Sequence, residues 1–157
     1  MGLLTFKGGL HPYDGKELSK DKPILEYLPK GEMVYPVSQH IGAPAAPCVA
    51  KGDRVLVGQR IAEAAGFVSA NIHSSVSGTV KAIEPRVTVS GAKVNCIVVE
   101  NDGEYEQVPF TPIGERTPEA IIQAVKDAGI VGLGGAGFPT HVKLSPKEPD
   151  KIDTIII

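Results

Sequence analysis

The stretch GIVGLGGAGFPTHVKL, Gly129 to Leu144, places five glycines within nine residues and follows them with Phe138, Pro139 and Lys143. Gly132, Gly134, Gly135 and Gly137, with Ala136 among them, can adopt positive φ and turn successive N–H groups into one concavity, which suits phosphate oxygens. If Thr140 to Leu144 begins a helical turn, its free N–H groups add to the same site, and Lys143 supplies a point charge against a dianion. The spacing is not G-x-x-x-x-G-K-[ST], which excludes an ATP-binding P-loop. It imitates the dinucleotide fingerprint G-x-G-x-x-G only loosely, and it follows a helical pattern where that fingerprint should follow a strand. A plain glycine-rich connection between helices is the alternative.

The other chemistry-bearing residues are sparse. His11, His40, His73 and His141 show no H-x-x-x-H pairing, and a metal site needs three or four convergent ligands. The first three are therefore expected in structural hydrogen bonds. A looser possibility is that HIGAPAAP and FVSANIHSSVSG are loops facing a cofactor domain or a neighbouring subunit. Cys48 and Cys96 lie among small or apolar neighbours with no C-x-x-C spacing, and both are expected as buried thiols of a reducing compartment.

The elements that must position these residues fall into three parts: residues 1–31, 32–106 and 107–157. Residues 1–31 are rich in Gly, Pro, Lys and isolated apolar residues without a period, which suggests an arm that packs on something else, with a possible turn at His11-Pro12. Residues 32–106 hold short apolar runs at Met33–Tyr35, Arg54–Val57, Arg60–Ala64, Thr79–Ile83, Val87–Val89 and Asn95–Glu100. Turn residues separate them, which argues for a compact all-β sandwich or barrel. Residues 107–157 open with a Pro-rich bridge and the helix pattern TPEAIIQAVKDAG. Thr117 suits its N-cap, Pro118 its first turn and Gly129 its C′ position, with Ile121, Ala124, Val125 and Ala128 on one face to pack against a sheet or helix. The final run, Ile152 to Ile157, reads as a buried strand of a parallel sheet. One helix, one loop and one strand do not complete an α/β layer, so this part is expected to be the truncated start of a nucleotide-binding domain.

Charge and hydropathy narrow the function further. Sixteen basic and 18 acidic side chains give a net charge of −2, with no basic stripe for nucleic acid. The amino terminus lacks a signal-peptide pattern, and no stretch approaches the ~18 apolar residues of a membrane span. Any membrane attachment is expected to come through a partner.

Two resemblances follow from quoted strings. VAKGDRVLVGQRIAEA (49–64) and NIHSSVSGTVKAI (71–83) resemble the two related halves of the barrel-sandwich fold of biotinyl and lipoyl carrier domains. Gly52 and Gly78 would make tight turns there, and Val55, Ile61, Val76 and Val80 would fill a narrow core. Carriers attach their group to a lysine at the hairpin tip between the halves, yet AAGFVSA stands there and no lysine occurs between Lys51 and Lys81. The module is expected to pack, not to carry. The resulting fold class is α+β: a small all-β barrel-sandwich hybrid followed by the start of an α/β nucleotide-binding domain.

GLGGAGFPTHVKL is similar to the flavin-binding loop of the NADH-oxidising subunit of respiratory complex I. Together with LLTFKGGLHP (3–12), SQHIGAPAAP (38–47) and HSSVSGTVKAI (73–83), it makes the chain resemble the amino-terminal part of the RnfC family, a subunit of Rnf electron-transport complexes. The resemblance implies FMN and NAD(H) in the complete subunit, with Gly132, Gly134, Gly135, Ala136 and Gly137 against the FMN phosphate and ribityl chain. Lys143 would make a charged contact and Phe138 would line the nicotinamide face. Leu133 and Leu144 stand where complex I relatives carry arginine and tryptophan, which removes one guanidinium contact and one aromatic wall. The resemblance also implies two [4Fe–4S] clusters outside these residues, held by C-x-x-C-x-x-C-x-x-x-C-P motifs. It implies partner subunits in an ion-translocating NADH:ferredoxin oxidoreductase, and a peripheral position on the cytoplasmic side of the membrane. This stretch alone is expected to be inactive and to bind no cofactor tightly. A related cobalamin reductase and a non-catalytic scaffold are the alternatives.

Overall fold

The computed structural model describes Gly8 and residues 12–154. The His11 half of the expected His11-Pro12 turn and the Ile155–Ile157 end of the expected last strand lie outside those residues. Among the described residues, seven strands form two sheets: β1 (Glu32–Pro36), β2 (Ala46–Pro47), β3 (Arg54–Val55), β4 (Arg60–Glu63), β5 (Ile72–His73), β6 (Gly78–Val87) and β7 (Lys93–Asn101). The larger sheet runs β1-β7-β6-β3 and the smaller β2-β4-β5, with every pair antiparallel.

The two related motifs pair with one another. Arg54 lies opposite Thr79 and Val55 opposite Gly78, while Gly52 N–H donates to Val80 O at 2.7 Å and Val80 N–H to Asp53 O at 2.8 Å. Their apolar positions close over one core. Val55, Ile61 and Val76 are fully buried and Val80 is nearly so, joined by Tyr35, Ile72, Ile97 and Val99. Each such aliphatic side chain contributes about 1.5–3 kcal/mol on leaving water. The barrel-sandwich hybrid is thus built on the four residues expected to fill it.

Three details depart from expectation. Thr79–Ile83 and Val87–Val89 belong largely to one strand, since β6 continues through Pro85 to Val87 and turns at Thr88 to Ala92. Proline is tolerated because β3 pairs with β6 only at Gly78 and Thr79, which leaves that edge of the strand unpaired at Pro85. β2 and β5 were not anticipated, because two-residue strands have no alternation to read. Gly78 lies inside β6, not in a tight turn: an added Cβ would fall 2.0 Å from Glu100 O, so the glycine serves close approach of two backbones.

Buried polar groups are paired throughout the serine-rich segment before β6. Ser74 Oγ donates to Val76 O at 2.7 Å, and Ser77 Oγ donates to Asp102 Oδ1 at 2.6 Å. The Tyr35 hydroxyl lies 2.9 Å from Ser75 Oγ and accepts from Ser75 N–H at 3.0 Å.

After the barrel, Val108 N–H donates to Val57 O at 3.0 Å, and an irregular segment leads to helix α1 (Pro118–Asp127). Thr117 Oγ1 caps it by accepting from Ala120 N–H at 3.2 Å. Gly129, with φ 66°, follows its C-terminal cap. The expected packing face is present but uncovered. No α1 residue is buried, Ile121 is 41% exposed, and Phe110, Ile113, Ile121, Val125 and Ile130 border an open groove of about 660 Å³. The buried strand expected from Ile152 is not formed over its described part: Ile152 is 53% exposed and residues 152–154 are irregular. Among the described residues no sheet covers this face, which leaves Ile121 exposed and Ala124 and Val125 half-buried.

The described part of the arm likewise exposes Tyr13, Leu18, Ile24, Leu25 and Tyr27. It meets the barrel at Pro29 O, which accepts from Asn101 Nδ2 at 2.7 Å and from the Tyr105 hydroxyl.

Candidate functional site

The glycine stretch forms a closed loop with a free crown. Gly132 N–H donates to Phe138 O at 3.0 Å and Thr140 N–H to Ile130 O at 2.9 Å, so a short antiparallel ladder pinches its base. The short helix α2 (Thr140–Lys143) follows. Two expectations change here. Thr140 N–H is spent on Ile130 O and Gly132 N–H on Phe138 O, so neither is free for a ligand. Positive φ is confined to Gly129 and Gly137 in this stretch, so Gly132, Gly134 and Gly135 are not held in the left-handed region.

The crown between these bonds holds the unpaired donors of the loop. Among the described residues, no N–H group from Leu133 to Phe138 donates to a protein acceptor, which leaves six consecutive donors. A Cβ added at Gly134 or Gly135 would meet nothing within 4 Å, so only the absence of side chains keeps that approach open. Beside the crown lies a cavity of about 630 Å³, with Gly132, Leu133, Gly135, Ala136 and Gly137 on one wall. The opposite wall is the barrel loop Ser38, Gln39, His40 and Ile41.

Phe138 and Lys143 stand outside this lining. The Lys143 ammonium lies 6.0 Å from the Phe138 ring centroid, a cation–π arrangement, and 3.2 Å from the place a Gly132 Cβ would occupy. The charge is thus parked at the base of the loop, next to the crown. Leu133 is 92% exposed, and Leu144 is also exposed.

The barrel loops face this segment, as one reading of the His40 and His73 strings held. Ile41 N–H donates to Ala136 O at 2.9 Å. His40 is buried. Its Nε2 lies 3.1 Å from Ala70 N and 3.2 Å from Ala70 O, and its Nδ1 lies 3.2 Å from Ile41 O, so both ring nitrogens face backbone groups of the barrel loops. His141 is buried too, and its Nε2–H donates to Phe67 O at 3.1 Å while its ring meets Phe67 edge to face. Phe67 sits in the AAGFVSA tip, so the hairpin that bears a lysine in carrier domains here receives the segment after the glycine loop. Asn71 Nδ2 donates to Asp127 O at 3.2 Å and reaches Lys126 O at 3.4 Å, which satisfies carbonyls at the end of α1.

Burial holds the His73 imidazole below its ordinary pKa, the Arg60 charge lowers it further, and the Asp127 backbone opposes both. Cys96 is buried as expected. Cys48 is exposed, because it sits at the edge of the smaller sheet after β2. Among the described residues, no group of three or more His, Cys, Asp or Glu side chains could hold a metal ion, and no helix is long and apolar enough to cross a membrane.

Ser38, Gln39 and Asn71 had no assigned role from sequence. Nothing distinguishes them locally from ordinary polar loop residues; only the return of the chain to the barrel brings them to the glycine loop.

Residues 4–104 match the family model described as the RnfC barrel sandwich hybrid domain. The chain belongs to the RnfC family. Residues 125–157, which include the whole glycine loop, match the Nuo51 FMN-binding domain. The chain is 47% identical, over 98% of its length, to the RnfC subunit of the Na(+)-translocating ferredoxin:NAD(+) oxidoreductase complex of Acetobacterium woodii, and covers 35% of that relative. It is 44% identical to the RnfC subunit of the proton-translocating ferredoxin:NAD(+) oxidoreductase complex of Clostridium ljungdahlii, over 99% of this chain and 35% of the relative. To the RnfC subunit of the ion-translocating oxidoreductase complex of Pseudomonas aeruginosa it is 41% identical, over 99% of this chain and 21% of the relative. The chain therefore spans about a third or less of these RnfC relatives.

Proposed function

We propose that the crown Leu133–Phe138 holds the phosphate end of FMN in an RnfC subunit. The observation that carries this reading is the run of six unpartnered N–H groups beside two glycines with open space at their Cβ positions. Backbone donors preset around a phosphate need no reorganisation on binding. Lys143, resting on Phe138, adds a positive charge close to the dianion, and Phe138 offers an aromatic face toward the nicotinamide. When bound, FMN supplies hydride exchange with NADH and one-electron delivery to iron–sulfur clusters. This chain's residues bind and orient; none is required as an acid or base.

The complete subunit would carry the two [4Fe–4S] clusters elsewhere in its sequence. It would work with other subunits of an ion-translocating NADH:ferredoxin oxidoreductase, held at the cytoplasmic side of the membrane by those partners. Within that larger protein, residues 1–31 form an arm, 32–106 the barrel-sandwich hybrid, and 107–157 the beginning of the FMN- and NADH-binding domain.

Gly135→Val in the complete subunit tests the cradle. A branched side chain would occupy the space the phosphate needs, and flavin content should fall to a small fraction of the unsubstituted level. Lys143→Met should weaken binding less, by about tenfold, since it removes one charge and leaves every backbone donor. Normal flavin content in Gly135→Val would remove the cradle from consideration.

A further inference from the structure

We infer that the barrel is the clamp that sets the shape of the glycine loop, with Asn71 as its main positioning residue; the inference rests on the flavin reading above. Nine residues, five of them glycine, would sample many conformations if tethered only at their base. Here both flanks are fastened to the barrel.

On the upstream side, Asn71 is 7% exposed and divides its amide between two segments. Oδ1 accepts from Ala64 N–H at 2.9 Å inside the barrel, while Nδ2 donates to Asp127 O at the end of α1. Two residues on, Gly129 has φ 66° and passes so close that an added Cβ would lie 2.2 Å from Asn71 O. The chain leaving α1 is thereby pressed onto the barrel before the loop begins.

On the downstream side, Ile41 N–H holds Ala136 O. At Gly137, with φ 64°, a Cβ would stand 2.8 Å from Gln39 O. His141 then closes the seam by donating to Phe67 O. Leu133 to Gly135 stand between these anchors and Ala136 to Phe138 at the downstream one, so the crown is held while its N–H groups remain free. The ordering entropy of the crown is met during folding, so ligand affinity inherits the quality of the clamp.

Asn71→Asp isolates this effect. The carboxylate keeps the Ala64 N–H bond within the barrel but turns a donor into a negative group against the carbonyl end of α1. Thr117→Ala is the control: it removes the far cap of the same helix and touches neither the barrel nor the loop. In the complete subunit, FMN affinity measured by fluorescence titration should fall at least about tenfold for Asn71→Asp and stay within about twofold for Thr117→Ala. The ³¹P resonance of bound FMN should move only in the former.

A second pair guards against misfolding of the first. His141→Leu loses the Phe67 O bond and should weaken FMN, whereas His141→Gln, whose amide nitrogen reaches a similar position, should restore it. Wild-type affinity and an unchanged ³¹P signal in Asn71→Asp or His141→Leu would overturn the clamp, as would equal losses in Asn71→Asp and Thr117→Ala. Gly135→Val separates the two ideas. If it abolishes binding while the clamp variants bind normally, the clamp alone fails; if it too binds normally, the cradle fails and the clamp with it.

Discussion

His73 shows how a single residue at the seam between barrel and helix becomes a pH sensor of stability. Its ordinary pKa of 6.5 is lowered in the folded protein, chiefly by burial and secondarily by Arg60. Between the folded value and 6.5 the unfolded chain binds a proton that the folded chain does not, so acidification favours unfolding. The stability it contributes is present above pH 6.5 and is lost as pH falls through the folded value. A thermal-melt series should show the midpoint declining below pH 6.5, and His73→Gln should flatten that part of the curve. The carboxylates act in a different window. Asp102 is held below its ordinary 3.8 by the Ser77 hydroxyl first, then by Glu104 N–H, with Arg54 adding to it, and Glu32 is held below 4.5 by Lys81. Their stabilising effect is lost only as pH falls below those values, whereas the His73 decline begins at pH 6.5.

The elements differ sharply in how much they are supported. β4 buries Ile61 completely between the sheets, whereas α1 has its apolar stripe open to solvent. Ile61→Ala should therefore cost about 2–5 kcal/mol, while Ile121→Ala on α1 should cost under about 1 kcal/mol. Denaturant titrations of the two variants check the contrast. A comparable loss from Ile121→Ala would mean that α1 is packed in solution. The helix itself is well specified locally, by the Thr117 cap, Pro118 and Gly129, so its boundaries are legible without its packing partner.

Across the whole molecule, the barrel and the glycine loop behave as one piece joined by Asn71, Ile41, Gly137 and His141. Among the described residues the α1 groove and the crown are both left open, in a chain that covers 35% of its Acetobacterium and Clostridium relatives, and the flavin reading proposed above assigns the crown only the phosphate end of the cofactor. Residues 1–157 alone should thus bind FMN weakly or not at all in a fluorescence titration, because phosphate contacts alone supply little of the affinity of the complete cofactor. A submicromolar dissociation constant would show that the crown and barrel suffice.

The sequence by itself determined the elements whose causes are local or periodic. The related KGDRV and SGTV strings placed Val55, Ile61, Val76 and Val80 in one core, Thr117-Pro118 and Gly129 marked the ends of α1, and the glycine string marked where backbone donors can stand without side chains around them. Tertiary structure decided what depends on chain return. It spent Gly132 and Thr140 N–H groups on the loop's own base, parked Lys143 on Phe138, and brought Asn71 and the 38–41 loop to the glycine stretch from more than fifty residues upstream. No local pattern encodes those contacts, because a backbone donor's partner and a polar side chain's neighbour are set only when the sheets close and carry distant segments together.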